Sequence, residues 1–347
     1  MLPESLELWV LAAAGLAFAF VFSSARLPRR TLVIHGGAGL AAGAAIAVAP
    51  TLDLAVLVLL ALGALDAALG GRQTFAVRMR APVLAVAVLA LGLMLVRVEG
   101  PDVLGRFASV GLVGGLAVAI GLLPFIHPFE ADEATPASPL VWVVFVGPVL
   151  AAVLVARAQS LLPVDAGEAF AAMLIGVGLL NMVWGALGAW LTSADGQAWR
   201  YSFFADWGLV VCGFGLTLAD GGRAALLVLF GIVTCRLPLY LLARAPAQQQ
   251  KATEGPLNLL IAAALAGSAP FVGFAARVLL LRAATQLYWP FALALVIGML
   301  LWLPGSLRLG RSFGSVRGRR ALAVAIVLAV NLAAGLYPLP LLEVVRI

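Results

Sequence analysis

Apolar residues fall in twelve long runs separated by short polar stretches: 7–25, 31–50, 53–70, 80–97, 107–126, 138–158, 167–191, 201–219, 222–243, 256–281, 287–305 and 319–340. Each approaches the roughly 20 residues needed to cross a bilayer core about 30 Å thick. The runs are apolar on all sides instead of alternating, so they predict membrane helices and not barrel strands. Two of them carry a Pro-Phe pair behind small residues. The fifth reads Gly121-Leu-Leu-Pro124-Phe125 and the tenth Gly267-Ser-Ala-Pro270-Phe271-Val-Gly273. Proline lacks a backbone donor and clashes with the preceding turn, so both helices are predicted to break there.

Counted from the second run, these are the fourth members of two successive sets of five. An odd number of crossings sends the two sets through the membrane in opposite senses. Interrupted helices at matching places in inverted halves point to an ion path. The expectation is an all-α polytopic membrane protein of about twelve helices. It has an extra helix over 1–30, inverted five-helix repeats over 31–158 and 167–305, and a basic inner loop and final helix over 306–347. Small residues around 111–121 are expected to pack laterally against partner subunits.

Composition agrees with the pattern: 63% of residues are hydrophobic and 11% charged, with a mean hydropathy of +1.10. The net charge of +6 raises nucleic acid as a partner, but the positions of the basic residues exclude it. With the N-terminus outside, fourteen basic residues fall on inner loops (among them Arg26, Arg72, Arg200, Lys251 and Arg308), against six on the outer side. That is the positive-inside bias, and it places both termini outside. No basic segment or small-residue cleavage site of a leader flanks the first run, which follows Glu4. Cys212 and Cys235 lie within apolar runs and read as packing residues. No Cys-x-x-Cys, Walker glycine loop, histidine pair at ligand spacing or serine triad is present, so neither metal nor cofactor is expected, and no catalytic residue is assigned.

Three segments carry a family resemblance. The first runs from Gly121 through Pro124, Phe125, His127, Pro128, Glu130, Asp132 and Glu133 to Thr135-Pro136. The second is Arg200-Tyr201-Ser202-Phe-Phe-Ala205-Asp206-Trp-Gly208, and the third Gly267-Ser-Ala-Pro270-Phe-Val-Gly273-Phe274-Ala-Ala-Arg277. In order and spacing the chain resembles the antiporter-like subunits of respiratory complex I, Mrp cation antiporters and membrane-bound hydrogenases. The likeness runs over about residues 50–310. In layout the chain is most similar to the shortened complex I subunit, the subunit N type, that lacks N-terminal helices.

The resemblance implies a mid-membrane row of titrating groups, in which buried lysines take and release protons because burial lowers their pKa. This chain departs from that row. Its sole lysine, Lys251, lies in a polar loop, the early glutamate position falls near Leu62, and the lysine before Pro124 falls at Ala119. The next falls near Val146 or Val149, the family's histidine becomes Asp206, and two later lysines become Arg236 and Arg277. Arginine stays protonated and serves only as a fixed charge.

Asp66, Asp206, Arg236 and Arg277 are then the intramembrane ion-path candidates, since a charge at mid-bilayer is costly unless paired or hydrated. His127 and Glu130 join them from the adjoining loop, where capping and solvation are the plainer readings. Asp206 also fits the inner headgroup zone, and Arg277 fits snorkelling to the outer one. Asn181 and Asn331 read as polar links between helices.

The implied function is a non-catalytic, ion-translocating subunit of a redox-driven complex in a bacterial cytoplasmic membrane. Its expected partners are other integral subunits, lipid and a peripheral catalytic subunit. The alternatives are a scaffold that no longer conducts and the membrane partner of an inorganic-carbon uptake complex.

Overall fold

The computed structural model describes residues 29–69, 72–98, 102–123, 147–243 and 255–344, and all regular structure among them is helical. The first apolar run lies outside the described residues, as do Pro124, Phe125, His127 and Glu130. Two compact units divide the chain, one over residues 27–177 and the other over 178–347.

The first unit holds α1 (Arg29–Val48), α2 (Leu52–Leu69), α3 (Arg72–Arg97), α4 (Asp102–Ile120), α5 (Gly147–Leu161) and the start of α6 (Val164–Leu191). Its tightest packing is between α3 and α4, where glycines bring the backbones together. A Cβ on Gly111 would stand 2.8 Å from the Gly92 Cα, and one on Gly92 2.9 Å from the Leu112 N. A Cβ on Gly115 would stand 2.9 Å from the Leu89 N. These small residues are therefore used inside the unit. The lateral packing expected of the stretch around 111–121 is corrected to that extent.

The Ser109 hydroxyl joins α4 to α6 by donating to the Ala166 carbonyl at 2.7 Å. Arg157 on α5 donates to the Ala49 carbonyl beyond α1. Arg97 pairs with Asp53 between the end of α3 and the start of α2, an exposed contact that contributes little. Asp66 is buried and faces Arg78 across 3.8 Å. α3 begins at Arg72, ahead of the apolar run at 80, and its extra turns carry the partner of this buried carboxylate.

The second unit continues with the rest of α6, α7 (Asp195–Gly215) and α8 (Ala219–Gly231). A π-helical turn (Ile232–Arg236) follows, then α9 (Leu237–Ala243), α10 (Pro256–Ala266), α11 (Val272–Leu287), α12 (Trp289–Ser312), α13 (Gly318–Leu336) and α14 (Leu339–Val344). Among the described residues, five helical stretches are long and apolar enough to cross a membrane: Phe75–Arg97, Val103–Ile120, Val164–Leu191, Ala219–Tyr240 and Trp289–Ser312. Large apolar side chains such as Leu57, Leu91, Met94, Leu293 and Leu300 are exposed along the helices, as lipid-facing positions should be. The protein is a multi-pass, all-α membrane protein.

One glycine device ends both predicted broken helices. α4 stops at Ile120, and Gly121 takes a left-handed φ of 80°. Leu122 N–H then donates back to the Ala117 carbonyl at 2.7 Å. α10 stops at Ala266, Gly267 has φ 61°, and Ser268 N–H donates to the Ala263 carbonyl at 3.0 Å. Both are Schellman-type ends, favoured by glycine because a Cβ disfavours that conformation. In each the proline follows three residues after the glycine, where a helix can no longer continue. Beyond α10 the chain passes a cis Ala269–Pro270 bond and resumes at Val272.

Candidate ion-pair site at a broken helix

Spacing along α7 builds one wall of the site. Trp199, Phe203 and Asp206 stand at i, i+4 and i+7, which is one face of a helix. The Tyr240 ring of α9 meets this face, with centroids 6.0 Å from Trp199 and 5.7 Å from Phe203. One turn before Tyr240 sits Arg236, the last residue of the π-helical turn. Pro238 gives a local reason for that turn. It cannot donate to the Thr234 carbonyl, and the widened turn instead closes with Leu237 N–H donating to the Ile232 carbonyl. Arg236 is thereby placed opposite Asp206.

Arg236 Nε donates to Asp206 Oδ2 in a direct ion pair. Both residues are buried, at 4% and 8% exposure. A second nitrogen, Nη2, donates to the Leu265 carbonyl at 3.1 Å, and the indole Nε1 of Trp302 donates to the same oxygen at 2.8 Å. Leu265 lies in the last turn of α10, whose terminal carbonyls have no donor further along the helix. The break thus creates the acceptor that Arg236 and Trp302 satisfy. Trp302 also lays its ring under the guanidinium, 5.0 Å from centroid to Cζ.

Arg277, on the second turn of α11, closes the other side. Its guanidinium lies over the bare Cα of Gly267, where a Cβ would come 2.8 Å from Arg277 Cζ. Gly273 presses from another direction, its own Cβ position 2.7 Å from the Gly267 Cα. Asp206, Arg236, Arg277 and Asn331 line a cavity of about 40 Å³, with Cys235 and Gly267 in its wall. Cys212 and Cys235 are both buried free thiols. Two buried polar atoms of the lining residues, Arg236 Nη1 and Asn331 Oδ1, have no hydrogen-bond partner.

Gly267 supports the whole arrangement. Gly267→Ala is expected to destabilise the protein by about 1–2 kcal/mol through the left-handed backbone alone, and to displace Arg277 in addition. The midpoint of thermal unfolding in detergent should fall. Gly231→Ala, where the new Cβ would meet only Val272 Cγ1 at 3.5 Å, should leave it unchanged.

No protein-family profile matches the chain, and no curated protein matches it. Solved structures do. A chain of the membrane-bound sulfane sulfur reductase, an archaeal respiratory membrane complex, superposes with a TM-score of 0.77 and 16% identity, covering 97% of this chain and 80% of that one. A chain of respiratory complex I from Thermus thermophilus gives 0.72 and 16%, covering 96% and 81%. One from the Mrp complex of Dietzia sp. gives 0.69 and 16%, covering 97% and 82%. The fold is the antiporter-like one. The resemblance read from three short segments therefore holds for the architecture of the chain.

Within the antiporter-like fold, the structure brings Asp206, Arg236 and Arg277 to one cavity, along with Asn331. Asp66 belongs to the first unit and faces Arg78. Asp206 lies mid-helix because α7 starts at Asp195, six residues before the apolar run. Phe271 caps the start of α11, and Pro270 and Gly273 shape the break itself. Trp302 and the Leu265 carbonyl were not legible as site groups. Trp302 is well inside α12, and a buried indole N–H needs an acceptor. Among the described residues, no group of three or more metal-ligating side chains gathers.

Proposed function

We propose that this chain is an antiporter-like subunit of a larger ion-translocating membrane complex, and that a proton or cation path crosses its second unit at Asp206. The observation that carries the reading is the buried Asp206–Arg236 pair beside a small cavity at a broken helix. A buried ion pair is weak evidence for stability, because apolar residues of similar volume often serve as well. Its distinctive property is charge. Asp206 is the ion-carrying member, while Arg236 and Arg277 act as fixed countercharges that hold the carboxylate and water in place. The Gly-x-x-Pro-Phe ends at Gly121 and Gly267 support two inverted repeats over 31–158 and 167–305. Asp66 with Arg78 is the corresponding charged group of the first unit, and His127 and Glu130, in the sequence that follows α4, remain path candidates. The partners are other integral subunits, lipid and a peripheral catalytic subunit, in a bacterial cytoplasmic membrane with both termini outside.

A specific observation favours the scaffold reading for the first unit. Leu62 and Ala119, which stand where the resemblance implies a glutamate and a lysine, are buried and apolar. The charged row that the resemblance implies is therefore interrupted at these two positions of the first unit. The test is ion movement by the complex, purified with its membrane partners and reconstituted in vesicles. Arg277→Lys should retain movement, since the charge and reach are kept, and Arg277→Leu should lose it. Equal movement by wild type and both variants would rule out a role for Arg277 in the path.

A further inference from the structure

We propose that the second unit binds one small monovalent anion, of halide size, in the cavity lined by Arg236, Arg277 and Asn331. Among the described lining residues, two guanidinium groups face a single carboxylate, Asp206. Arginine does not shed its proton to relieve the imbalance. Excess charge in a poorly hydrated site is costly until a counterion or hydrogen-bond partner compensates it.

Arg236 supplies a second, independent observation. It is only 4% exposed, and two of its nitrogens are committed to Asp206 and the Leu265 carbonyl. Its third, Nη1, is buried without an acceptor. The guanidinium cannot turn to reuse it without leaving the Trp302 ring and both bonds. Asn331 is likewise 2% exposed with Oδ1 unpartnered. A half-turn of its amide presents Nδ2, a donor, at the same place.

Size and charge define the ligand. A cavity of about 40 Å³ holds roughly three waters, at one per 10–15 Å³, which matches a small anion. A divalent anion would only reverse the imbalance. Leu209, Leu227, Val228 and Val272 furnish apolar wall, which suits a weakly hydrated halide. The site stands or falls independently of whether Asp206 carries ions.

The test uses the full chain with its co-purifying subunits in lipid nanodiscs, at constant ionic strength. Thermal unfolding is followed as sodium gluconate is replaced by sodium chloride or bromide, and tryptophan quenching by bromide is read in parallel. A saturable rise in the unfolding midpoint with either halide is expected, with saturable quenching at matching concentrations. Arg277→Gln removes the excess charge and should weaken the halide effect by about tenfold to a hundredfold, while Arg277→Lys keeps it. If Arg277→Gln does not fold, Trp302→Phe decides: the midpoint rise should persist and the saturable quenching should vanish. Identical midpoints in gluconate and halide with linear quenching, or a wild-type halide response in Arg277→Gln, would overturn the site.

Discussion

Ion movement by the reconstituted complex should fall to background in Asp206→Asn, while the subunit still assembles. Asparagine keeps the shape, and its Oδ1 still accepts from Arg236 Nε, so the local geometry survives. What is lost is the ion-carrying group. The cost appears in stability, because Arg236 becomes a buried charge without a countercharge. Removing one partner of such a pair costs about 3–5 kcal/mol, and the retained hydrogen bond should hold this variant near the lower figure.

Asp206→Leu combined with Arg236→Met separates the two effects. Replacing both partners by apolar groups is often neutral for stability, and the Leu265 carbonyl keeps its bond from Trp302. The double variant should therefore unfold above Asp206→Asn, short of wild type because Arg277 loses the carboxylate it faces, and be inert in transport. Wild-type transport by it would move the path elsewhere and leave the scaffold reading in place. A loss of stability as large as that of the single variants would show instead that the pair is mainly structural.

The second large effect is expected where α6 crosses α7. A Cβ on Gly178 would stand 2.6 Å from both the Cys212 N and the Gly208 carbonyl oxygen. On Gly185 it would stand 2.6 Å from the Tyr201 carbonyl oxygen. Those obstacles are backbone, so no side-chain rotation relieves them. Overpacking a core costs about 1–3 kcal/mol when side chains can adjust, and Gly178→Leu must separate two helices. It is expected to prevent accumulation of folded protein in the membrane. Gly176→Leu, two residues earlier on the same helix with nothing within 4 Å of its Cβ position, should accumulate normally. Equal yields from both variants would show that the crossing tolerates separation.

Hydropathy made the helices legible because a membrane helix must be apolar over its whole crossing. Their ends were less so. α3 and α7 both begin ahead of their apolar runs, at Arg72 and Asp195, since polar turns outside the core carry no hydropathy signal. The break after Ala266 was legible from Pro270, and its register from Gly267 only once the left-handed φ was seen. Asp206, Arg236 and Arg277 could be singled out because charge inside an apolar run is conspicuous. Their company could not. Asn331 read as a link between helices, and Leu265 contributes a backbone oxygen, which no residue type announces. Nothing in the sequence sets Trp302 apart from the other tryptophans.

The π-helical turn over Ile232–Arg236 has a consequence for any helical-wheel reading of this segment. It holds one more residue than the same rise of α-helix, so every side chain beyond it is rotated by about 100° from its α-helical heading. The heptad bookkeeping that aligns Leu226 or Leu229 with the core is one residue out of step at Tyr240. Deleting a single residue between 232 and 235 is thus the mildest change in chain length that would straighten the helix. It would leave Tyr240 facing Trp199 and Phe203, whereas deleting a residue between 237 and 239 would turn it away, so this length of sequence is spelled in two reading registers joined at Arg236.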